Sequence, residues 1–423
     1  ASYTGFLMWD FYMMNREHEI TNYGQAARLV LGEKFGTLVH IEQCILLFWF
    51  ISATIKSAGE AMYALSQAHY CLAIVTVIAT LIGIILSYPI YLRGVSMLSA
   101  VSFASIVISM FVNILGVAAQ GSPDYSLPRG ANANFLLFPP ATSDAKAILA
   151  STTTIIFSYA GHLVFFEFIH AMRRPKDFLK ALALAQTFAI SSYGVVGSII
   201  YHYTGMFSKS PALFNLAPSD LYAIMGWLAV LPNLFIGGVI DSNVLCHNIV
   251  QAVSPWISSP FAPPSKNSGR SGSHANGGPE SELQESDTEF DDVEKEKQRF
   301  TNMRDGEATV KSDSTTNYRV RIMWTAVTAL VWLISYVVSQ IVPTFNGILG
   351  ITSSIFSTQF TYGLPCVFWL ISVYRKGRLR KRWFLASINV LIVLLSVVIL
   401  VMGTLVNLRS LFNRESRAFS CSV

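Results

Sequence analysis

Charged side chains are scarce in this sequence. Asp, Glu, Lys and Arg make up 13% of the 423 residues, whereas 52% of the residues are hydrophobic. A soluble globular domain carries about 25% charged residues. The scarcity of charge, together with long apolar runs, excludes a soluble domain and predicts an all-α polytopic membrane protein. In a membrane protein the positive charges lie in the loops, so the net charge of +5 does not indicate a nucleic-acid partner, and we expect none.

The motifs of enzymes and metalloproteins are also missing. The sequence has no HExxH, HxxxH or GxSxG motif, no glycine-rich phosphate-binding loop, and no CxxC pair among its five cysteines. These absences argue against a membrane enzyme, a directly ATP-driven pump and a metal site. We therefore expect a protein that is not an enzyme, with no catalytic residues, no metal and no cofactor.

Apolar runs of about 20 residues, the length that crosses a bilayer, recur along the chain. Because the sequence starts with Ala1 inside an apolar stretch too short to span, we expect a preceding N-terminal piece to be missing. Nine full spans are predicted, at 37–66, 70–91, 95–119, within 145–181, 178–204, 219–250, 320–342, 346–373 and 383–408.

Composition changes abruptly at residue 254. Residues 254–318 are rich in Ser, Gly, Pro and charge and have too few apolar residues to form a core. The predicted organisation is therefore a first membrane part (1–253), a disordered acidic loop (254–318), a second membrane part with the last three helices (319–411), and a tail (412–423).

The acidic loop is the expected contact for regulatory partners. Ser281, Ser286 and Thr288 lie among acidic residues, and phosphorylation there would add charge to a disordered segment. A kinase or a trafficking factor is the expected partner of the loop. The alternatives are an inert linker and a gene-model artefact such as a retained intron.

Lys and Arg in short loops predict the orientation of the chain. The basic cluster at 375–382 is expected in the cytoplasm. Alternation of the spans then places the loops at 15–35, 173–180 and 254–317 and the turn at Arg93 on the same side. It places the loops at 122–140 and 202–220 outside. The arginines of the tail, on the outer side, are the exception to this pattern.

The apolar run within 145–181 is interrupted near its middle by Ser158, Tyr159, Ala160, Gly161 and His162. In lipid, a helix opens at mid-depth only where protein or a watery cavity surrounds its free backbone groups. The N–H groups at the start of the second half can then hold an anion such as a carboxylate. We interpret these five residues as a substrate-binding break. The alternative is a small-residue face that lets a neighbouring helix approach.

Ionisable side chains within the spans are costly, and they are functional candidates for that reason. Asp241, Glu167 and Glu60 are candidate proton-coupling residues, because a carboxylate there can load a proton on one side and release it on the other. The alternatives are an interfacial position for Asp241 and an ion pair between Glu60 and Lys56, which share a helix face. His162 is a candidate for contact with substrate or proton, or else a hydrogen-bonded packing residue.

Three stretches resemble the amino acid/auxin permease family of transmembrane amino acid transporters. Residues 157–162, 165–166 and 172–182 are similar to the family's sixth helix. Residues 341–346 and 360–370 agree with a later part of the family pattern, and residues 3–6 are similar to its second helix. The fungal, methyltryptophan-resistance type of neutral amino acid permease is the branch that the sequence resembles most.

The resemblance implies an inverted-repeat helix bundle of the LeuT type, as in the amino acid–polyamine–organocation superfamily. Such a protein has about 11 helices, and the first is missing here. The implied function is secondary active transport, and we expect proton-coupled symport of neutral or aromatic amino acids. The expected partners are the amino acid, protons and the bilayer. A vacuolar antiporter or exporter and a non-transporting amino acid sensor are the alternatives, and the plasma membrane is the expected location.

Overall fold

The computed structural model describes residues 1–18, 20–89, 95–138, 144–253, 314–342 and 345–412. Within these ranges, all regular secondary structure is helical. In chain order the α-helices are α1 (Ser2–Met14), α2 (Tyr23–Leu31), α3 (Glu33–Leu65), α4 (Leu72–Leu86), α5 (Val95–Gln120), α6 (Ala145–Ser158), α7 (Phe165–Ala171), α8 (Phe178–Thr204), α9 (Leu221–Val253), α10 (Ser314–Ile341), α11 (Phe345–Thr352), α12 (Leu364–Arg375), α13 (Trp383–Val398) and α14 (Thr404–Phe412).

Seven helical stretches of the described chain are long and apolar enough to cross a membrane, which confirms the prediction of an all-α polytopic membrane protein. They are Glu33–Leu65, Met97–Gln120, Ala145–Ala171, Pro175–Phe207, Leu221–Val250, Arg321–Ile341 and Leu379–Arg409.

Two predicted spans take another form. Helix α4 has only 15 residues. The stretch from α11 to α12 is helical throughout, but the π-helical segments Ser353–Ser357 and Gln359–Gly363 interrupt its α-helical winding. The inverted-repeat arrangement stays a prediction from the resemblance.

The chain divides into two compact units. One is formed by Ala1–Cys246 and the chain from Thr328 onward, and the other by His247–Val327. The described part of the second unit is the last turns of α9 and the first turns of α10, where the His247 and Trp324 rings lie 4.7 Å apart. The predicted acidic loop lies outside the described residues, except that 314–318 begin α10.

A cluster of aromatic side chains joins the first helices to the later ones. The Tyr23 ring, fully buried at the start of α2, lies edge-on to Phe166 of α7 and to Phe360 of the second π-helical segment. Its hydroxyl donates a 2.7 Å hydrogen bond to the Phe360 carbonyl. Phe11 of α1 and Phe368 of α12 complete the cluster. These rings hold α1 and α2 against the elements that carry the predicted break.

Three of the loops that we predict to be cytoplasmic, 15–35, 173–180 and 375–382, are described within the first unit. The Arg375 guanidinium donates to the Val30 carbonyl over 2.8 Å, which links the end of α12 to α2. The Trp9 ring nitrogen donates to the Pro175 carbonyl over 2.9 Å, which links α1 to the turn after α7.

The loops predicted to lie outside also contact one another. Asp124 forms a 2.7 Å ion pair with Lys209, and the Gln120 amide donates to the Asn215 carbonyl over 3.2 Å. Burial acts to raise the pKa of Asp124, but the bonds from Lys209 and Ser126 outweigh it and hold that pKa below its usual value. The described loops thus contact others of their own predicted group, and the side of the membrane on which each group lies stays a prediction.

Candidate functional site

The apolar run within 145–181 is interrupted at the place that the sequence predicts. Helix α6 ends at Ser158, and Tyr159 leaves the helical conformation with φ −109° and ψ 16°. A 3₁₀ turn, Ala160–Val164, follows and leads into α7. A 3₁₀ turn bonds residues three apart with poorer geometry, and the first N–H groups of a helical segment have no partner within it. The α-helical winding of this run is therefore replaced by 3₁₀ winding over Ala160–Val164.

A cavity of about 390 Å³ lies against this turn. Its size is within the range of small-molecule sites. Four elements form the walls, namely α3, the interrupted helix, α9 and α11. The lining residues are Phe50, Ala53, Thr54, Ser57, Phe157, Ser158, Ala160, Gly161, Leu163, Val164, Leu234, Asp241, Phe345 and Leu349.

Gly161 opens the backbone to the cavity. A Cβ atom at this position would lie 3.9 Å from the Phe165 ring, with no nearer contact to another described side chain. The glycine is therefore not required for the close approach of a neighbouring helix. This finding argues against the small-residue packing face as the reason for Gly161.

Ser158 and Tyr159 lie at the end of α6, where a neighbouring helix contacts them. The Tyr193 hydroxyl of α8 donates to the Ser158 carbonyl over 3.2 Å. The Tyr159 and Tyr193 rings pack edge to face, 5.5 Å apart. Ser158 lines the cavity, whereas Tyr159 is not among the lining residues.

His162 is fully buried on the side of the turn that faces α1. Its Nε2 lies 2.9 Å from the Ala1 carbonyl oxygen and 3.1 Å from the Thr4 hydroxyl. Its ring packs on Phe165 at 4.6 Å. The imidazole thus holds the turn against α1 from behind and is not part of the cavity lining.

Asp241 is the one carboxylate in the cavity lining. Among the described residues it pairs with no cation and accepts no hydrogen bond. It lies on α9 one turn beyond Gly238, where a Cβ would come within 2.7 Å of the Thr54 methyl group. The close contact at Gly238 brings α9 against α3, and Asp241 faces a mostly apolar space.

The other two candidate carboxylates lie away from the cavity. Glu60 is buried on α3, and its Oε2 has no hydrogen-bond partner in the described part of the chain. Lys56 is buried one turn before it, but these two described side chains form no ion pair. Glu167, on α7, is half-buried and lies beyond the 3₁₀ turn. The structure therefore brings only Asp241 to the break.

Sequence reasoning missed the walls that α3 and α11 contribute. Phe50, Thr54 and Ser57 share one face of α3 by their spacing of three and four, but a mixed face of this kind also describes ordinary helix packing. Phe345 and Leu349 belong to an apolar run without a distinguishing signal. Within the described ranges, no group of three or more His, Cys, Asp or Glu side chains is placed to hold a metal ion.

Comparison with known proteins gives a family match along nearly the whole chain. The model of a family described as "Transmembrane amino acid transporter protein" matches residues 1–408.

Individual relatives agree with this match. "N amino acid transport system protein" of Neurospora crassa is 20% identical over 413 residues, covering 96% of this chain and 76% of the relative. A "Transmembrane transporter" of Gibberella moniliformis is 19% identical over 427 residues, covering 99% and 78%. A "Transmembrane transporter" of Fusarium pseudograminearum is 26% identical over 147 residues, covering 35% of this chain and 30% of the relative.

Proposed function

The chain belongs to the transmembrane amino acid transporter family, and on that premise we propose that it carries neutral or aromatic amino acids by proton-coupled symport. We propose the plasma membrane as its location. Rigid-body movement of helix groups around a site at mid-depth would expose the site to each side in turn.

The observation that carries this proposal is the cavity beside the interrupted helix. It combines an interrupted helix, aromatic walls and one carboxylate that has no partner among the described residues. The aromatic walls from Phe50, Phe157 and Phe345 suit an apolar or aromatic side chain. No Lys, Arg or His is among the lining residues, so an acidic substrate side chain would have no partner there.

The break holds the backbone of the substrate in this proposal. The substrate carboxylate accepts hydrogen bonds from the N–H groups of the 3₁₀ turn around Gly161. Ser158 and Ala160 form the adjacent wall. Tyr159 and His162 act indirectly, since their contacts with α8 and α1 fix the shape of the turn.

Asp241 is the proposed carrier of the coupled proton. It faces the substrate cavity, so the occupancy of the cavity by substrate can be linked to its protonation. An unpaired carboxylate at this depth is costly when ionised, which favours uptake of a proton before the site closes. Glu60 and Glu167 are proposed to take part in the same proton movement at a distance from the substrate.

A competition assay tests the proposed substrate class. Purified protein in proteoliposomes preloaded with unlabelled tryptophan should accumulate radiolabelled tryptophan by counterflow. Unlabelled phenylalanine and leucine should compete with the labelled substrate, whereas aspartate and lysine should not. Binding without counterflow would favour the sensor alternative, and the absence of competition by any amino acid would overturn the proposal.

A further inference from the structure

A row of hydroxyl groups continues from the wall of the cavity. Phe345, Leu349, Ser353, Ser357 and Thr361 follow one another at intervals of four along one helical stretch. The first two line the cavity. The next three are fully buried, and their hydroxyls have no hydrogen-bond partner among the described residues.

This lack of partners is a property of the row and not of the whole helix. Ser354, equally buried, donates a 2.9 Å hydrogen bond to the Gly350 carbonyl. Thr358, also fully buried, donates a 2.8 Å hydrogen bond to the Ser353 carbonyl. Buried hydroxyls on the other faces thus satisfy themselves on their own backbone. The hydroxyls of the row do not form such bonds.

Gln43 of α3 presents a second set of unpaired polar atoms. Its side chain is 1% exposed, and neither its amide oxygen nor its amide nitrogen has a hydrogen-bond partner within the described ranges. Gln43 precedes Phe50, which lines the cavity, by seven residues. A spacing of seven returns to the same helix face. Gln43 therefore lies on the face of α3 that also forms the cavity wall.

The two faces lie opposite each other. Ala53 packs in one cluster with Ile348 and Leu349, while the Arg375 side chain bonds Val30 just before α3. Hence α3 and the stretch through α12 run antiparallel. Ten residues from Ala53 toward α2, about 15 Å by the α-helical rise, lead to Gln43. After Leu349, the part of the antiparallel stretch that packs against α3 is the first π-helical segment, Ser353–Ser357.

Glu167 completes the set from a third element. It follows the cavity-lining Val164 by three residues and so continues the same helix face. The 3₁₀ turn before it packs against the second π-helical segment, Gln359–Gly363. The Glu167 carboxylate lies near the Gln43 amide, and neither amide atom has a hydrogen-bond partner within the described ranges.

Such a group of polar atoms implies an occupant. A buried donor or acceptor without a partner is destabilising, and most so at membrane depth. A polar space that offers a molecule two to four hydrogen-bond partners is the kind that holds buried water. π-Helical segments of this kind occur frequently at functional sites. Water that reaches these atoms from the cavity would give each of them a partner.

We propose that Ser353, Ser357, Thr361, Gln43 and Glu167 line a water-filled route along which the coupled proton leaves the cavity. The inference rests on the proposed proton-coupled function. Each hydroxyl accepts a hydrogen bond from one water and donates to the next. One proton enters the row as hydronium at the cavity end. Glu167 takes up one proton as a carboxylic acid and releases it toward the end of the helices near Arg375.

Other titratable groups border the route from each element around it. They are His162 on the 3₁₀ turn, Tyr23 on α2, Tyr362 on the second π-helical segment, and Glu42 and His40 on α3. The Tyr23 hydroxyl is already bonded to Phe360, and the His162 ring to Ala1 and Thr4.

The double variant Ser357→Ala/Thr361→Val tests the route. Two assays are run in proteoliposomes. A pH-sensitive dye measures the protons that enter with the amino acid. Exchange of labelled for unlabelled amino acid at equal pH measures substrate binding and translocation without net proton movement. Proton-coupled uptake should fall by about a hundredfold, the lower end of what positioned proton-transfer groups contribute. Exchange should stay within about twofold of the unchanged protein.

Ser354→Ala is the matched control, because it removes a hydroxyl of the same helix that already has a partner. It should leave both assays unchanged. Should the double variant lose exchange as well, Gln43→Leu tests the same route from α3 and should reduce proton flux alone. The route is wrong if either variant retains both exchange and normal proton flux. It is also wrong if uptake requires sodium and removal of the hydroxyls abolishes that requirement. If the protein without substitutions exchanges amino acids but shows no proton flux, the proposed function itself is wrong.

Discussion

Gly161 tests the substrate site most sharply at the scale of single residues. Its Cα faces the cavity, and a Cβ there meets only the Phe165 ring at 3.9 Å. Gly161→Leu therefore fills the cavity without a clash in the protein itself. We expect loss of amino acid uptake with normal amounts of protein in the membrane, measured by uptake and surface labelling.

Gly197→Leu is the matched control for that substitution. Gly197 also lies in a helix, α8, and has no atom near its Cβ position, but it is away from the cavity. It should keep uptake close to that of the unchanged protein. Normal uptake by Gly161→Leu would contradict a substrate site at the break.

Asp241→Asn removes the one carboxylate of the cavity wall. Asparagine has nearly the same shape but takes up no proton, so accumulation driven by a pH gradient should disappear while exchange at equal pH persists. Asp144→Asn is the control, because this exposed side chain caps α6 through a 3.0 Å bond to the Lys146 N–H and asparagine caps helices equally well. Full pH-driven accumulation by Asp241→Asn would transfer the coupling role to Glu167 or His162.

The sequence indicates which residues are unusual, but not where their side chains point. The break at Ser158–His162 is visible because small and polar residues interrupt an apolar run. The direction of His162, toward Thr4 and Ala1, depends on how the 3₁₀ turn rotates its side chains and on the position of α1. The separation of Glu60 and Glu167 from the cavity likewise depends on tertiary packing, so the site was predictable only in part.

At the scale of helices, α4, α9 and α10 meet around one indole. A Cβ on Gly83 of α4 would lie 2.2 Å from the Trp332 ring. The ring is 1% exposed, and its Nε1 donates to the Ser87 and Ser242 hydroxyls over 3.1 and 3.0 Å. Because the indole is bonded on one side and packed on the other, it has little room to move.

Gly83→Ala should therefore destabilise the helix contact. Overpacking in a well-packed interior costs about 1–3 kcal/mol, and we expect a lower melting temperature for the purified protein by scanning fluorimetry. Gly197→Ala, at an open position on α8, should leave the melting temperature unchanged. Equal melting temperatures for the two variants would show that the contact at Trp332 is not close-packed.

Helices differ in how far their sequence predicts them. The long apolar runs predict α3, α5 and α8 well, since none of them contains Pro or a Gly pair. The π-helical segments Ser353–Ser357 and Gln359–Gly363 have no such signal. They pack against the 3₁₀ turn and against the π-helical segment Ile399–Gly403, and a single sequence does not display such contacts.

At the scale of the whole molecule, the acidic loop and the side on which it lies are a prediction from composition and charge. A tag inserted within 260–310 should be labelled by antibody only after cells are permeabilised, and shortening this segment should preserve uptake. A tag at Gly130, an exposed position with φ +82° and no neighbour within 4 Å, is the control that should be labelled on intact cells. Labelling of the 260–310 tag on intact cells would reverse the orientation.

Proton-driven amino acid transport is the central claim, and one measurement tests it most directly. Proteoliposomes with the purified protein are given an inward proton gradient, an inward sodium gradient, or neither, and the initial uptake of labelled tryptophan is followed with and without a protonophore. The account predicts accumulation under the proton gradient alone, without sodium, and its loss when the protonophore is added. Accumulation that follows the sodium gradient and ignores the protonophore would contradict the account.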